Sequence, residues 1–267
     1  MEDRISINIS DGVADVRLIR TDKMNALDDK MFEALIGAIE TLNADKSVRC
    51  VVLSGEGRAF CAGLDMSNFG KMADGTSSGV TSGRLEQRTH GVTNRLQQVV
   101  WGWRQLRAPV ISAVHGVAVG GGLQIMLGCD IRFTHPETKL SILEVKWGLV
   151  PDMGSTPIMC QLASEDIIRE LTYTGRIFSG VEAKAYGFTT HVSETPHDDA
   201  MALAREIASK SPDSVQSSKR LYNDLRDLDD AQALLAESKA QDRLIGSKNQ
   251  IEAVMAGMEK RAGAFKD

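Results

Sequence analysis

Three consecutive glycines, Gly120-Gly121-Gly122, are the residues whose type and spacing most directly suggest chemistry. They follow a β-branched run at residues 110–114 that predicts a buried strand, and they precede an apolar segment at residues 123–127 that predicts a helix ending at Gly128. A glycine lets a ligand approach the main chain, and the first N–H groups of a helix point outward at its positive end. This arrangement suits an anion or a developing oxyanion, while a tight turn with close packing is the alternative.

A second stretch of small residues, at residues 59–66, repeats this pattern. It follows a predicted buried strand at residues 48–53 and offers another main-chain opening, although an ordinary exit from a strand into a loop explains it equally. Residues 70–83 come next and are rich in Gly, Ser and Thr. They predict a mobile loop, which is either a lid over a site or a tolerated insertion.

Composition limits the class of protein. The 267 residues suffice for one large domain, or for a domain with an appendage, and 42% of them are hydrophobic. A formal net charge of −5 argues against nucleic acid as a partner, and no apolar run is long enough to span a membrane. The four cysteines show no close metal-ligand spacing and no secretory signal is visible, so we expect a cytoplasmic protein with buried thiols and no metal site.

Turn and cap signals predict the elements around these stretches. Residues 5–9 alternate between apolar and polar before Asp11-Gly12, which predicts an antiparallel strand pair. Asp28 is typical of an N-cap for a helix reaching about Asn43. Short strands are expected at residues 131–134 and 139–142, and Asp130 is expected to be structural at a strand start.

The segment before the glycine triplet predicts a helix at residues 85–107. Trp101 and Trp103 lie on different faces of that helix, so at least one of them should contact another element or subunit. From Ser211 onward the chain has few strand formers, and Ser211-Pro212 is a helix start signal. We therefore predict an α/β domain at residues 1–210 and a helical region at residues 211–267.

Five segments, spread in family order over nearly the whole chain, resemble the enoyl-CoA hydratase/isomerase (crotonase) superfamily. They are KMNAL at residues 23–27, GRAFCAGLDM at 57–66, PVISAVHGVAVGGGLQIMLGCDIR at 109–132, EVKWGLVPDMG at 144–154 and GMEKRAGAFKD at 257–267. The resemblance implies a spiral of ββα units with a C-terminal helical region used for trimerisation, and trimers that often pair into hexamers. It also implies an acyl-CoA thioester substrate of fatty acid metabolism, with coenzyme A as part of the substrate and no separate cofactor.

The resemblance also implies positions for the binding site. It assigns the two oxyanion-hole N–H groups to Leu64 and Gly121, where the residues themselves indicate an accessible main chain. Two donors aimed at one thioester oxygen stabilise an enolate, the common intermediate of these reactions. The cradle for adenine and pantetheine falls around Lys23, Ala26, Leu27, Ala62, Asp65 and Met66. Phe265 and Lys266 resemble C-terminal residues that close over coenzyme A, in some relatives from a neighbouring subunit.

The acid–base positions depart from the hydratase pattern. Hydratases of the superfamily use two glutamates, and here these positions hold Gln124 and Glu144. Gln124 cannot exchange a proton in catalysis, although it can orient a water. Asp152, eight residues after Glu144, resembles an aspartate of the dienoyl-CoA isomerases, which also carry an acid where Gln124 stands. Single-base enoyl-CoA isomerases keep only the Glu144-type residue.

We therefore expect an acyl-CoA enzyme that stabilises an enolate, with Glu144 as its base, and we place double-bond isomerisation slightly ahead of hydration. The apolar neighbours Leu143, Val145 and Trp147 are expected to desolvate Glu144 and raise its pKa. Thioester hydrolysis and decarboxylation use the same oxyanion hole and stay open. The competing interpretation is a non-catalytic acyl-CoA-binding homologue, in which Gln124 is a plain helix residue and Asp152 a loop or cap residue.

Overall fold

The structure is a computed structural model that describes residues 3–68 and 85–267. The predicted mobile loop at residues 70–83 lies outside the described residues, so its role as a lid stays a prediction.

Eight strands form two sheets in these parts of the chain. They are β1 Ile5–Ser10, β2 Val13–Leu18, β3 Cys50–Gly55, β4 Val110–Val114, β5 Val117–Val119, β6 Ile131–Thr134, β7 Lys139–Ser141 and β8 His191–Val192. The larger sheet has the order β1-β2-β3-β4-β6-β8, and β5 pairs with β7 in the smaller one. Only β1 and β2 run antiparallel, joined by the predicted turn at Asp11-Gly12. Strands β3 and β4 are buried along their whole length, as parallel strands covered on both faces must be.

Ten α-helices lie wholly within the described ranges. They are α1 Asp29–Ala44, α2 Arg95–Gln105, α3 Gly121–Leu127, α4 Thr156–Leu162, α5 Glu165–Thr174, α6 Gly180–Tyr186, α7 Pro196–Ala208, α8 Pro212–Asp224, α9 Asp230–Leu244 and α10 Lys248–Glu259. Asp28 caps α1 as predicted, since its side chain accepts a hydrogen bond from the Met31 N–H. Ser179 and Glu182 form a capping box at the start of α6.

The chain winds as repeated ββα units, and the short segments of successive units meet one another. Leu27 bridges Leu64, Cys61 bridges Ala118, and β5 pairs with β7. Each short segment lies just beyond a strand of the larger sheet. The main chain after β2, β3 and β4 is thereby gathered at one edge of the molecule.

Helix α2 begins ten residues later than the sequence predicts. Asn94 and Gln97 form a capping box that starts the helix at Arg95, and Gly91, with φ of +64°, lies in the turns that precede it. Trp103 on α2 is fully buried and Trp101 packs at the edge of the same core. The expectation that at least one of the tryptophans contacts another element is therefore confirmed.

A buried lysine helps to anchor the C-terminal region to the core. Lys219 on α8 donates to the carbonyls of Trp103 and Ala108 at 3.0 and 2.9 Å and pairs with Asp130 at 2.8 Å. Asp130 also accepts the Val110 N–H at 2.7 Å, which gives it the expected structural role at a strand start. Among the described helices, none is long and apolar enough to cross a membrane.

Candidate active site

A cavity of about 480 Å³ opens where the ββα units bring their strand ends together. Phe32 of α1 and Leu96 of α2 contribute to its walls, and the other lining residues come from four segments, at residues 22–26, 58–66, 119–121 and 143–153. The first two follow β2 and β3, and the others follow β5 and β7. The sequence-predicted glycine triplet, the second small-residue stretch and both candidate acids therefore meet at one cavity.

The glycine triplet serves the site in two ways. Gly120 has φ of +53°, a conformation that favours glycine, and its N–H donates to the Ser141 carbonyl at 3.0 Å. Gly121 is the first residue of α3, and its N–H has no hydrogen-bond acceptor among the described residues. A Cβ on Gly122 would lie 2.2 Å from the Cys61 carbonyl oxygen, so this position requires glycine for packing. The open main chain and the close packing thus fall on neighbouring glycines.

The opening at Leu64 is formed by the turn around Gly63. Leu27 donates its N–H to the Gly63 carbonyl at 2.8 Å, and Asp65 donates to the Leu27 carbonyl at 3.0 Å. The N–H of Leu64 between them has no acceptor within the described ranges. A Cβ on Gly63 would lie 2.7 Å from the Val119 oxygen and 3.6 Å from the Gly121 nitrogen. The two main-chain openings are therefore adjacent, as a shared oxyanion hole requires.

The side chain of Asp65 anchors this turn. Its carboxylate accepts hydrogen bonds from Arg20 at 2.6 Å and from the Ser67 N–H at 2.8 Å. Desolvation alone would raise the pKa of Asp65, but these hydrogen bonds and the Arg20 charge outweigh it and hold the pKa at about 2. The carboxylate of Asp65 is therefore occupied within the protein, and its role in binding coenzyme A stays a prediction.

Glu144 lies at the start of a short 3-10 helix, Glu144–Trp147, directly after β7. Its Oε1 is 3.5 Å from the position that a Cβ on Gly120 would occupy, which places the carboxyl beside the glycine triplet. Oε1 accepts a hydrogen bond from Gln124 at 2.7 Å, whereas Oε2 is buried without a partner. Burial raises the pKa of Glu144, and the charge of Asp152 adds to the effect, while the Gln124 hydrogen bond opposes it.

Gln124 lies behind Glu144 rather than in the cavity wall. It is only 3% exposed and is not among the lining residues. Its Oε1 accepts hydrogen bonds from the Met153 N–H at 3.0 Å and from the buried Ser155 hydroxyl at 2.8 Å. The amide of Gln124 thus bonds to Glu144, Met153 and Ser155, and a role in orienting a water stays a prediction. Ser155 was missed because nothing local in the sequence pairs it with a residue 31 positions away.

Asp152 supplies the second carboxyl of the cavity. Its side chain lines the same cavity as Glu144 but reaches solvent through the open mouth. Desolvation by burial raises the pKa of Asp152, and its carboxyl forms no ion pair with the residues that the structure describes. An acid that is neither paired nor a helix cap is available for proton transfer.

The other predicted site residues divide into two groups. Those that line the cavity are Lys23, Ala26, Ala62, Asp65 and Met66, and Leu27 is buried behind them. Asn25, between Met24 and Ala26, donates to the carbonyls of Glu56 and Ala59 and so holds this wall together.

Phe265 and Lys266 do not line the cavity of their own chain. The Phe265 carbonyl accepts from Arg49, at the start of β3 and thus at the far end of that strand from the cavity, and Lys266 pairs with Asn249. Their predicted closure over coenzyme A, in the same or a neighbouring subunit, therefore stays a prediction. Val145 also faces away from the cavity, so Leu143 and Trp147 are the predicted apolar neighbours that line it.

Comparison with known proteins identifies the family and agrees with the fold. A family model described as enoyl-CoA hydratase/isomerase matches residues 8–267, so the chain belongs to this family. The peroxisomal Delta(3,5)-Delta(2,4)-dienoyl-CoA isomerase of Arabidopsis thaliana is 30% identical over 97% of this chain and 94% of that protein. The mitochondrial methylglutaconyl-CoA hydratase of Mus musculus is 30% identical over 96% of this chain and 80% of that protein.

A crystal structure of an enoyl-CoA hydratase from Bacillus anthracis superposes with a TM-score of 0.87, at 27% identity, over 98% of this chain and 99% of that one. The fold is therefore the crotonase-like α/β spiral with a helix-rich C-terminal region, as the sequence resemblance implied.

Proposed function

We propose that this protein moves a double bond along the acyl group of an enoyl-CoA, with Glu144 as the base. The observation that carries the proposal is the desolvated carboxyl of Glu144, one oxygen of which has no protein partner, beside the second carboxyl of Asp152. The family acts on acyl-CoA thioesters. The donors of the oxyanion hole are the N–H groups of Leu64 and Gly121.

The reaction then proceeds without gain or loss of atoms. The thioester oxygen accepts hydrogen bonds from both N–H groups, and the Glu144 carboxylate removes a proton from an acidic carbon of the acyl chain. The electron pair of the broken C–H bond forms a new C=C bond, and the negative charge moves to the thioester oxygen. A proton returns to a different carbon from the acid form of Glu144 or from Asp152, which restores the carbonyl.

Isomerisation fits these residues better than hydration by two glutamates. Hydration needs one group to activate water and another to protonate the α-carbon. Gln124 carries no acidic proton, and its amide is turned away from the cavity by the Met153 and Ser155 hydrogen bonds. The similarity to a dienoyl-CoA isomerase supports the same choice.

Hydration is the second candidate, and one observation favours it. Both Glu144 and Asp152 line the cavity with raised pKa values, so these two carboxyls together supply a base and an acid. The similarity to methylglutaconyl-CoA hydratase supports hydration with one carboxyl as base and the other as acid.

The test is a panel of 2-enoyl-, 3-enoyl- and 3,5-dienoyl-CoA esters incubated with the protein in deuterium oxide. We expect deuterium in the acyl chain together with a shifted double bond. A 3-hydroxyacyl-CoA product would identify a hydratase. Tight binding of acyl-CoA without deuterium exchange would contradict both proposals and identify a non-catalytic binder.

We also propose that the protein is a trimer or a pair of trimers. The supporting observation is a set of exposed apolar side chains in the C-terminal helical region: Leu234, Leu235, Ile245, Ile251, Val254, Met255 and Met258. Exposed apolar area of this kind marks an interaction surface. Light scattering should give the mass of three or six chains, and a stable monomer at micromolar concentration would contradict the proposal.

We also propose that the protein is located in the cytoplasm. It is supported by the free, buried thiols of Cys50, Cys61 and Cys129. Similar proteins carry mitochondrial and peroxisomal names as well, so fractionation with marker enzymes for each compartment is the test.

A further inference from the structure

The amide of Gln124 links Glu144 to Met153 in the cavity wall and to Ser155 behind that wall. Its Nε2 donates to Glu144 Oε1 at 2.7 Å, while its Oε1 accepts from the Met153 N–H at 3.0 Å and the Ser155 hydroxyl at 2.8 Å. A backbone N–H can only donate, so the carbonyl oxygen of the amide must face Met153. The amino group of Gln124 must then face Glu144, whichever form the carboxyl is in.

The linking residues are held rigidly. Gln124 is 3% exposed and Ser155 is fully buried, so neither side chain has room for another rotamer without losing its hydrogen bonds. Gln124 belongs to helix α3, and Ser155 precedes α4, where its carbonyl accepts from Ile158 and Met159. The orientation of the Glu144 carboxyl therefore depends on two helices that meet behind it.

We propose that Gln124 and Ser155 are positioning residues, which hold Glu144 through Oε1 and keep its carboxyl ionised and aimed along the cavity wall. Neither residue lines the cavity, so they act through Glu144 and do not touch the substrate. The inference rests on the proposed role of Glu144 as base, and it holds for isomerisation and for hydration alike. At the position where a hydratase has its second glutamate, this chain therefore uses a neutral amide to orient the first.

The inference predicts the direction of a pKa change. A hydrogen bond from a neutral amide stabilises the carboxylate, so its loss should raise the pKa of Glu144 further. Asp152 is the other charged group that acts on Glu144 among the described residues, and it is unchanged in the variants below. The acid limb of the rate profile should then move to higher pH.

The experiment compares Gln124→Met and Ser155→Ala with the unmodified protein. Methionine keeps the length of glutamine but cannot donate, and alanine removes only the hydroxyl. Thr156→Ala is the matched control, because Thr156 is the exposed neighbour whose hydroxyl bonds only to the Pro151 carbonyl. The readouts are the pH dependence of kcat for acyl-CoA turnover, and the ¹³C NMR titration of the Glu144 carboxyl, assigned by its absence in Glu144→Gln.

We expect the pKa of Glu144 to rise in Gln124→Met, with kcat on the acid limb reduced by roughly tenfold for each pKa unit of that rise and KM little changed. Ser155→Ala should raise the pKa of Glu144 and lower kcat by smaller amounts, and Thr156→Ala should leave the pKa and kcat unchanged. An unchanged titration of Glu144 in Ser155→Ala and in a folded Gln124→Met would overturn the inference. The NMR titration needs no substrate, so a protein that turns over no acyl-CoA would contradict the proposed function while still testing the positioning.

Discussion

Two walls of the cavity are built in opposite ways. The oxyanion wall, residues 62–66 and 120–122, presents main-chain N–H groups that are held by close backbone contacts and by the ion pair of Asp65 with Arg20. The acid–base wall, residues 143–155, presents the side chains of Glu144 and Asp152. The pKa of Asp65 is held at about 2, whereas those of Glu144 and Asp152 are raised.

The opposite pKa shifts have opposite consequences for stability. Asp65 has a lower pKa in the folded chain than its ordinary 3.8, so it stabilises the fold above that pH, and this contribution is lost as the pH falls toward 2. Glu144 has a raised pKa, so the folded state binds its proton more tightly and loses stability as the pH rises above 4.5. Above these pH values the charge of Asp65 thus stabilises the fold, whereas the buried carboxyl of Glu144 destabilises it.

The largest effect should come from Glu144→Gln. Turnover and deuterium exchange should fall about 10²–10⁴-fold, because the amide cannot accept the substrate proton. The new side chain can still present its carbonyl oxygen to Gln124, so the fold and the affinity for a saturated acyl-CoA should remain. Calorimetry of acyl-CoA binding is the control. Undiminished exchange in this variant would assign the base to another residue, with Asp152 examined first.

Gly121→Pro should break the oxyanion wall alone. Proline removes one of the two donors, and turnover should fall about 10²–10³-fold. Gly121→Ala is the matched control: it keeps the N–H, and its methyl meets only the flexible ends of Leu27 and Met153. Circular dichroism checks that both variants fold. Equal activity in the two variants would remove Gly121 from the oxyanion hole.

Gln124→Glu sharpens the comparison because it adds a third acid behind the acid–base wall. The new carboxyl would lie about 2.7 Å from Glu144 Oε1, so the pair must share a proton. The Met153 and Ser155 donors favour the charge on the new residue, which leaves the proton on Glu144. We expect isomerase activity at pH 7 to fall by roughly tenfold or more and to recover at higher pH. A gain in hydration of crotonyl-CoA would instead show that residue 124 reaches the substrate water.

The smallest effect should be a difference in the free energy of unfolding that distinguishes the two walls and depends on pH. Asp65→Asn should lower the free energy of unfolding at pH 7 by about 2 kcal/mol, since a shift of one pKa unit corresponds to about 1.4 kcal/mol. Asp152→Asn should have the opposite sign and stabilise the fold at pH 7, because it removes a desolvated charge. Urea unfolding at pH 7 and pH 3 is the measurement, and both differences should shrink at the lower pH. A change of the same sign in the free energy of unfolding of the two variants would contradict the opposite pKa shifts of the two walls.

Much of this protein was predictable from its sequence, because the signals are local. The turn at Asp11-Gly12, the cap at Asp28 and the capping box at Ser179 depend on groups a few residues apart, and all three are found in the structure. The glycine openings and the family were predictable from short segments as well. The late start of α2 also had a local signal, the capping box of Asn94 with Gln97, which the apolar pattern obscured.

Only the tertiary structure decided what the side chains around the site do. Gln124 forms hydrogen bonds with residues 20, 29 and 31 positions away in the sequence. Asp65 bonds to Arg20, 45 positions away, and Phe265 bonds to Arg49, 216 positions away. Helical and strand periodicity report which face of an element is buried, but not which polar groups from other elements meet there. Gln124 was therefore recognisable from sequence as a missing acid, whereas its role as a positioning amide required the packing of α3 against the start of α4.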